Sequence, residues 1–166
     1  MTTTVTAESI VNLPREQVWE RLRDLSLGHY YVAGLKGTRI NTAQKEGIGA
    51  SRTVFPKGMA PMDETVVEWN EGYGFVLKLH RGDKPAAPFK AAEFIYAIED
   101  AGDGKTRFKP ALRYTLGGGA FGALMDRLFL HKVFFKNVDS VARNFKLYYE
   151  SGRPSNPDFR TDFVPD

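Results

Sequence analysis

Gly117, Gly119 and Gly122 in "TLGGGAFGALMDRL" spell G-x-G-x-x-G, a spacing that lets a backbone approach a dinucleotide pyrophosphate. A strand-like segment precedes them, a helical one follows, and Asp139 lies near where a ribose-binding acid would be sought. Two other residue types could carry chemistry. Leu128, His131, Phe135 and Val138 recur at helical spacing, which would aim the His131 imidazole inward to orient a carbonyl or move a proton. Tyr96 and Tyr114 fall on apolar strand faces, where a phenol would donate to a ligand. The plainer alternatives are a solvated histidine at the edge of the stripe and two tyrosines that satisfy each other.

The elements that must position these residues decide the glycine question. "TTVTAESIVNL" is β-branched and reads as a strand, and "LPREQVWERLRDL" switches to helical spacing after Pro14, with Val18, Leu22 and Leu25 on one side. "SLGHYYVAG" reads as a turn or second short helix. Six strands follow from Leu35 to Leu116, separated by short polar and glycine-containing turns. Within them Phe75, Leu77 and Leu79 share a face, as do Phe94, Tyr96 and Ile98, and Phe108, Leu112 and Tyr114. Pro110 cannot donate to a ladder, so the last strand should bulge or bend there. From Phe121 to about Ser151 apolar residues recur at helical spacing, and Gly152 and Pro154 end the run.

No strand follows that helix, and Asp139 lies in its middle. A dinucleotide site needs a β-α-β unit, so the nucleotide reading is rejected and no cofactor is expected. The glycines instead let the chain turn tightly from the last strand into the helix. Successive strands with short connections imply an antiparallel sheet and an α+β fold.

Composition narrows the rest. The chain has 166 residues, 42% of them hydrophobic, with 12 Phe and a formal charge of +3. Its basic residues are scattered, which argues against a nucleic-acid face. The absence of cysteine excludes disulfides, thiolate nucleophiles and Cys-ligated metals. His29 and His80 show no ligand spacing, and no metal is expected. The N-terminus lacks a signal-peptide pattern and no apolar run approaches ~20 residues, so a soluble, cytoplasmic protein without stable membrane insertion is the expectation. Residues 1–152 read as one domain. Residues 153–166 read as a polar tail, with Phe159 and Phe163 as its only anchors and disorder as the expectation.

"SIVNLPREQVWERLRDL", "GIGASRTV", "DETVVEWN" and the glycine turn with its long helix together resemble the START-related polyketide cyclase/dehydrase and lipid-transport superfamily, SRPBCC. The likeness runs from about Thr4 to Gly152. It implies a helix-grip fold, in which a curved antiparallel sheet of about seven strands wraps the long C-terminal helix, with one or two short helices after the first strand. It also implies an elongated apolar cavity for lipids, polyketides or similar molecules. Alternation then proposes the lining as Phe75, Leu77, Leu79, Phe94, Tyr96, Ile98, Leu112 and Tyr114 from strands, with Leu128, Phe135 and Val138 from the helix. For most of these, plain core packing is the favoured explanation of the pattern.

Arg52 and Glu64 stand at the family's G-x-x-R and E-x-V positions on neighbouring strands, where they would form a cross-strand ion pair. Facing inward, Glu64 would be either a desolvated acid or a carboxylate held ionised by Arg52; a pair that only fixes strand register explains the two residues at least as well. Asp126, beside Arg127 and Lys132, reads as part of a solvated helix face. Three functions compete. The first is a carrier of a hydrophobic small molecule, favoured because no catalytic constellation stands out. The second is a cofactor-independent cyclase or dehydratase using His131, a tyrosine or Glu64 as acid/base. The third is an interaction module: Leu130, Val133 and Phe134 add apolar surface outside the inner stripe, suited to a lid, a homodimer contact or a membrane-touching patch.

Overall fold

Two breaks, at Ala7–Glu8 and at Lys109–Pro110, divide what read as long strands and give the sheet its bend. The computed structural model describes residues 1–164. Before the first break runs β1 (Thr2–Thr6) and after it β2 (Ser9–Val11). Next come α1 (Arg15–Leu22), a 3-10 turn over Leu25–Tyr30, β3 (Leu35–Ile40), β4 (Ser51–Pro56), β5 (Met62–Asn70), β6 (Gly74–Arg81), the short β7 (Lys84–Pro85) and β8 (Phe89–Gly102). The second break separates β9 (Lys105–Phe108) from β10 (Ala111–Leu116). Among the described residues there are thus eight strands after the first helix, against the six read from the sequence.

The strands pair antiparallel in the order β1-β10-β8-β6-β5-β4-β3, and β2 pairs with β9, which pairs with β8. Pro110 has no N–H to give, and its carbonyl instead accepts from Ala7 N at 3.1 Å. The two breaks therefore face each other and the sheet folds there, as expected of a proline in a strand.

The chain leaves β10 through glycines into α2 (Gly119–Met125), a π-helical turn over Asp126–Leu130, and α3 (His131–Ser151). This is a helix-grip fold: a curved antiparallel sheet closed by one long C-terminal helix. Its interior holds two apolar clusters. The larger joins Val18, Trp19 and Leu22 of α1 to Phe75, Leu77, Tyr96 and Phe108 of the sheet and to Phe145 and Tyr149 of α3. The smaller groups Val5, Leu79, Ala92, Leu112, Tyr114 and Val138, with Phe89, Phe94, Leu116 and Phe134 packed against it.

The segment after α3 is not the loose tail expected, although its last two residues, 165 and 166, lie outside the described part of the chain. Asn156 is buried, and its Nδ2 donates to the carbonyls of His29 and Leu35, each at 2.7 Å. Phe159 stacks on His29 with ring centroids 5.6 Å apart, and Phe163 lies over Gly37, where a Cβ would strike its ring. One polar side chain that satisfies two carbonyls is invisible to a composition-based reading. Replacing Asn156 with Ala should lower unfolding free energy by about 1–3 kcal/mol, because both carbonyls lose their partner. Chemical denaturation checks this; unchanged stability would mean that the segment does not dock in solution.

Candidate functional site

The glycine turn is a steric device. Gly118 and Gly119 take φ of +86° and +56°, and a Cβ on Gly122 would stand 2.0 Å from the Gly117 carbonyl oxygen. Only glycines permit this passage from strand to helix. The turn thereby brings Asp126 back over β10.

Arg52 and Glu64 are directly opposed on β4 and β5 and both point inward. Arg52 Nε lies 2.6 Å from Glu64 Oε2, and its Nη1 donates to the Leu25 carbonyl at 2.7 Å. The absence of a Cβ on Gly28 makes room for the guanidinium, since one built there would lie 2.8 Å from Arg52 Nη1. Burial alone would lower the Arg52 pKa, but the Glu64 carboxylate and the Tyr96 and Tyr31 phenols outweigh it and hold the guanidinium above its ordinary range. Burial pushes the Tyr31 and Tyr96 phenols up, so both remain neutral donors. Nearby, the buried Tyr149 hydroxyl has no hydrogen-bond partner among the described residues. The deep end of the interior is therefore aromatic in its walls but polar at this one place. Glu64 is engaged by Arg52 and is not presented as a free acid.

At the opposite end the π turn makes a second polar junction. Asp126 is buried; the Tyr114 hydroxyl donates to its Oδ1 at 2.5 Å and the Thr3 hydroxyl to its Oδ2 at 2.9 Å. Burial and then the Asp126 carboxylate push the Tyr114 phenol well above its ordinary value. This corrects the expectation that Asp126 belongs to a solvated face. Beside it opens a hollow of about 580 Å³, lined by Thr3, Leu116, Gly122, Ala123, Leu124, Asp126 and His131 among others. A larger hollow of about 950 Å³ lies on the outer face of the sheet. Its side chains, among them Lys78, His80, Glu93 and Arg113, alternate with the buried ones, and so charged a lining does not suit an apolar molecule.

The strand residues proposed as lining all point inward: Phe75, Leu77, Leu79, Tyr96, Ile98, Leu112 and Tyr114 are buried, and Phe94 is half-buried between the two clusters. Phe75, Tyr96 and Phe94 touch in series, with centroids 5.0 and 4.9 Å apart. From the helix only Val138 is buried. Leu128 and Phe135 are 49% and 44% exposed, and His131 is exposed at the rim of the smaller hollow.

The π turn is the reason. A wider turn takes more residues per revolution, so the inward line runs Gly122, Asp126, Leu130, Phe134, Val138, four residues apart. Extrapolating 3.6-residue spacing back from Val138 selects the neighbours of that line instead. The same extrapolation leaves Phe134 outside the inner stripe, whereas it closes over Tyr114 and Phe89 at 4.8 and 5.3 Å. Polar Asp126 on an otherwise apolar stripe is the one sequence signal of the shift. Among the described residues no group of three or more His, Asp or Glu is arranged to hold a metal.

The polyketide cyclase/dehydrase and lipid transport family model matches residues 2–150, and the chain belongs to this family. No curated protein matches the sequence. Solved structures share the fold. TTHA0849 from Thermus thermophilus superposes with a TM-score of 0.67 at 20% identity, over 90% of this chain and 99% of that one. Ara h 8.0201 gives 0.66 at 15% identity, over 90% and 98%. A protein from Nitrosospira multiformis gives 0.63 at 13%, over 90% and 98%. At these identities the likeness extends to the fold alone.

Breaking the buried ion pair from one side leaves a charge stranded in the interior. Arg52→Met should cost about 3–5 kcal/mol of stability, whereas Arg52→Met combined with Glu64→Leu should recover most of it. Urea denaturation of the single and double variants checks this. A double variant as unstable as the single one would show that the pair is not the source of the loss.

Proposed function

We propose that the protein binds a hydrophobic small molecule, of lipid, polyketide or aromatic type, at the end of the interior where the smaller cluster meets the π turn. The observation that carries the reading is the hollow between Leu116, Gly122 and Asp126, continuous in sequence with the inward residues of β10 and walled by α2 and the π turn. Its volume falls in the range of ligand sites, roughly 300–1,000 Å³. The lining is mostly apolar, with Thr3, Asp126, Arg127 and His131 as polar groups that could fix one end of a ligand. An apolar guest would lie against Leu116, Gly122 and Ala123, beside the smaller cluster.

Binding without turnover is the activity these groups support best. Glu64 is tied to Arg52, Asp126 is engaged by two hydroxyls, and His131 stands at the rim, outside the apolar interior. The family supports a hydrophobic ligand, and the residues here supply a container with few groups free to move protons.

Fluorescence titration with the neutral lipophilic probe phenylnaphthylamine tests the reading. Saturable uptake is expected, and Ala123→Trp, which fills the hollow from an exposed position, should weaken it at least tenfold. Ala91→Trp, which fills the outer hollow, should leave it unchanged. The reverse pattern, or no uptake by the wild type, would overturn the assignment.

A further inference from the structure

The first half of the long helix carries an exposed surface that shares Leu124 and Arg127 with the hollow but extends well beyond it. Phe121 is 70% exposed and Phe129 59%, and Leu124, Leu128 and Val133 are about half exposed. They lie along two adjoining lines, Phe121–Met125–Phe129–Val133 and Leu124–Leu128, because the four-residue spacing around the π turn keeps such lines straight. The second line continues as Lys132 and Lys136, and Arg127 lies on the next. Arg127, Lys132 and Lys136 are exposed, and none has an ion-pair partner among the described residues. The acids nearby are spent. Asp126 is turned inward onto Tyr114 and Thr3, and Asp139 pairs with Arg143 at 3.3 Å.

An apolar ridge with a one-sign cationic flank is the pattern of a helix that lies in a bilayer interface. We infer that the segment from Phe121 to Lys136 docks the protein peripherally on an anionic lipid surface. Phe121, Leu124, Leu128 and Phe129 enter the boundary between headgroups and acyl chains, and Arg127, Lys132 and Lys136 meet lipid phosphates. A second copy of the chain fits less well. A two-fold contact through this ridge would place the same cations against each other with no free acid to separate them. No described helix is long and apolar enough to cross a membrane, so the contact is surface docking. The inference goes beyond ligand binding and does not depend on it, since an empty protein presents the same ridge.

The polar junction gives the docking a rigid base. Asp126 ties the π turn to β1 and β10 through Thr3 and Tyr114, and Phe134 packs beneath on Phe89 and Tyr114. The outward residues are therefore held in place by inward ones, and replacing them does not remove core contacts.

Flotation of the full chain with vesicles tests this. Vesicles of equal parts phosphatidylcholine and phosphatidylglycerol should carry the protein up the gradient at low salt. Pure phosphatidylcholine should not, and 1 M salt, which shortens the screening length to about 3 Å, should release it. Lys132→Gln with Lys136→Gln should weaken binding about fivefold per cation, or ~25-fold together. Leu128→Ser with Phe129→Ser should weaken it at least tenfold, while Lys45→Gln, in a distant loop, should leave it unchanged. Thermal melts close to wild type for both double variants would assign the losses to the surface and support the inference. Absence of vesicle binding at low salt would overturn it, as would equal binding to neutral vesicles. A dimer in sedimentation that Leu128→Ser with Phe129→Ser dissolves, without vesicle binding, would overturn it in favour of a second copy. A soluble acidic partner that competes only through the cations would likewise overturn it if vesicles fail to bind.

Discussion

Phe108 of β9, Phe145 and Tyr149 of α3 form a continuous stack, with successive ring centroids 3.8 Å apart and planes within 19° and 18° of parallel. Everything else about the molecule depends on how this stack anchors the helix at one end only. Aromatic side chains of this size each remove a large area from water. Trp19 and Leu22 of α1 and Tyr31 after the 3-10 turn close around the same cluster. The C-terminal half of α3 thus behaves as part of the core. Its N-terminal half rests on far less: Val138, Phe134 and the Asp126 junction.

That asymmetry separates the packed core from the hollow along one element. Stable packing gathers where α1, β9 and α3 meet, and the hollow opens where α2 and the π turn cross β1 and β10. The π turn makes the difference chemically as well as sterically. It rotates Asp126 inward, where a carboxylate must be hydrogen-bonded to be tolerated, and Tyr114 and Thr3 meet that demand. The same rotation leaves the apolar neighbours of the inward line facing outward. The polar mouth and the apolar ridge above it therefore share one local cause.

The curved sheet and its inner face were legible in the sequence because strand alternation has a period of two that tolerates bends. Phe75, Leu77, Leu79, Tyr96, Ile98, Leu112 and Tyr114 all point inward, and Arg52 faces Glu64 in register. The helix was legible only where its geometry stays regular. From Val138 onward the 3.6-residue pattern holds, and before it one wider turn displaces His131, Leu128 and Phe135 from the interior. Such a turn is set by Asp126 finding partners on distant strands, which no local pattern encodes. The docking of residues 153–164 is hidden from the sequence for a similar reason. It rests on Asn156 reaching two carbonyls more than a hundred residues away in sequence, and a polar residue in a Pro-containing stretch reads as solvated.

The proposed binding places an apolar guest between β10 and the π-turn end of the helix. Chemical-shift mapping by NMR during titration with phenylnaphthylamine tests it most directly. The largest shifts are expected on Thr3, Leu116, Gly122, Ala123 and Asp126, with Phe145 and Tyr149 little changed. Shifts confined to the exposed ridge at Phe121 and Phe129, or to the outer face around His80 and Arg113, would contradict it.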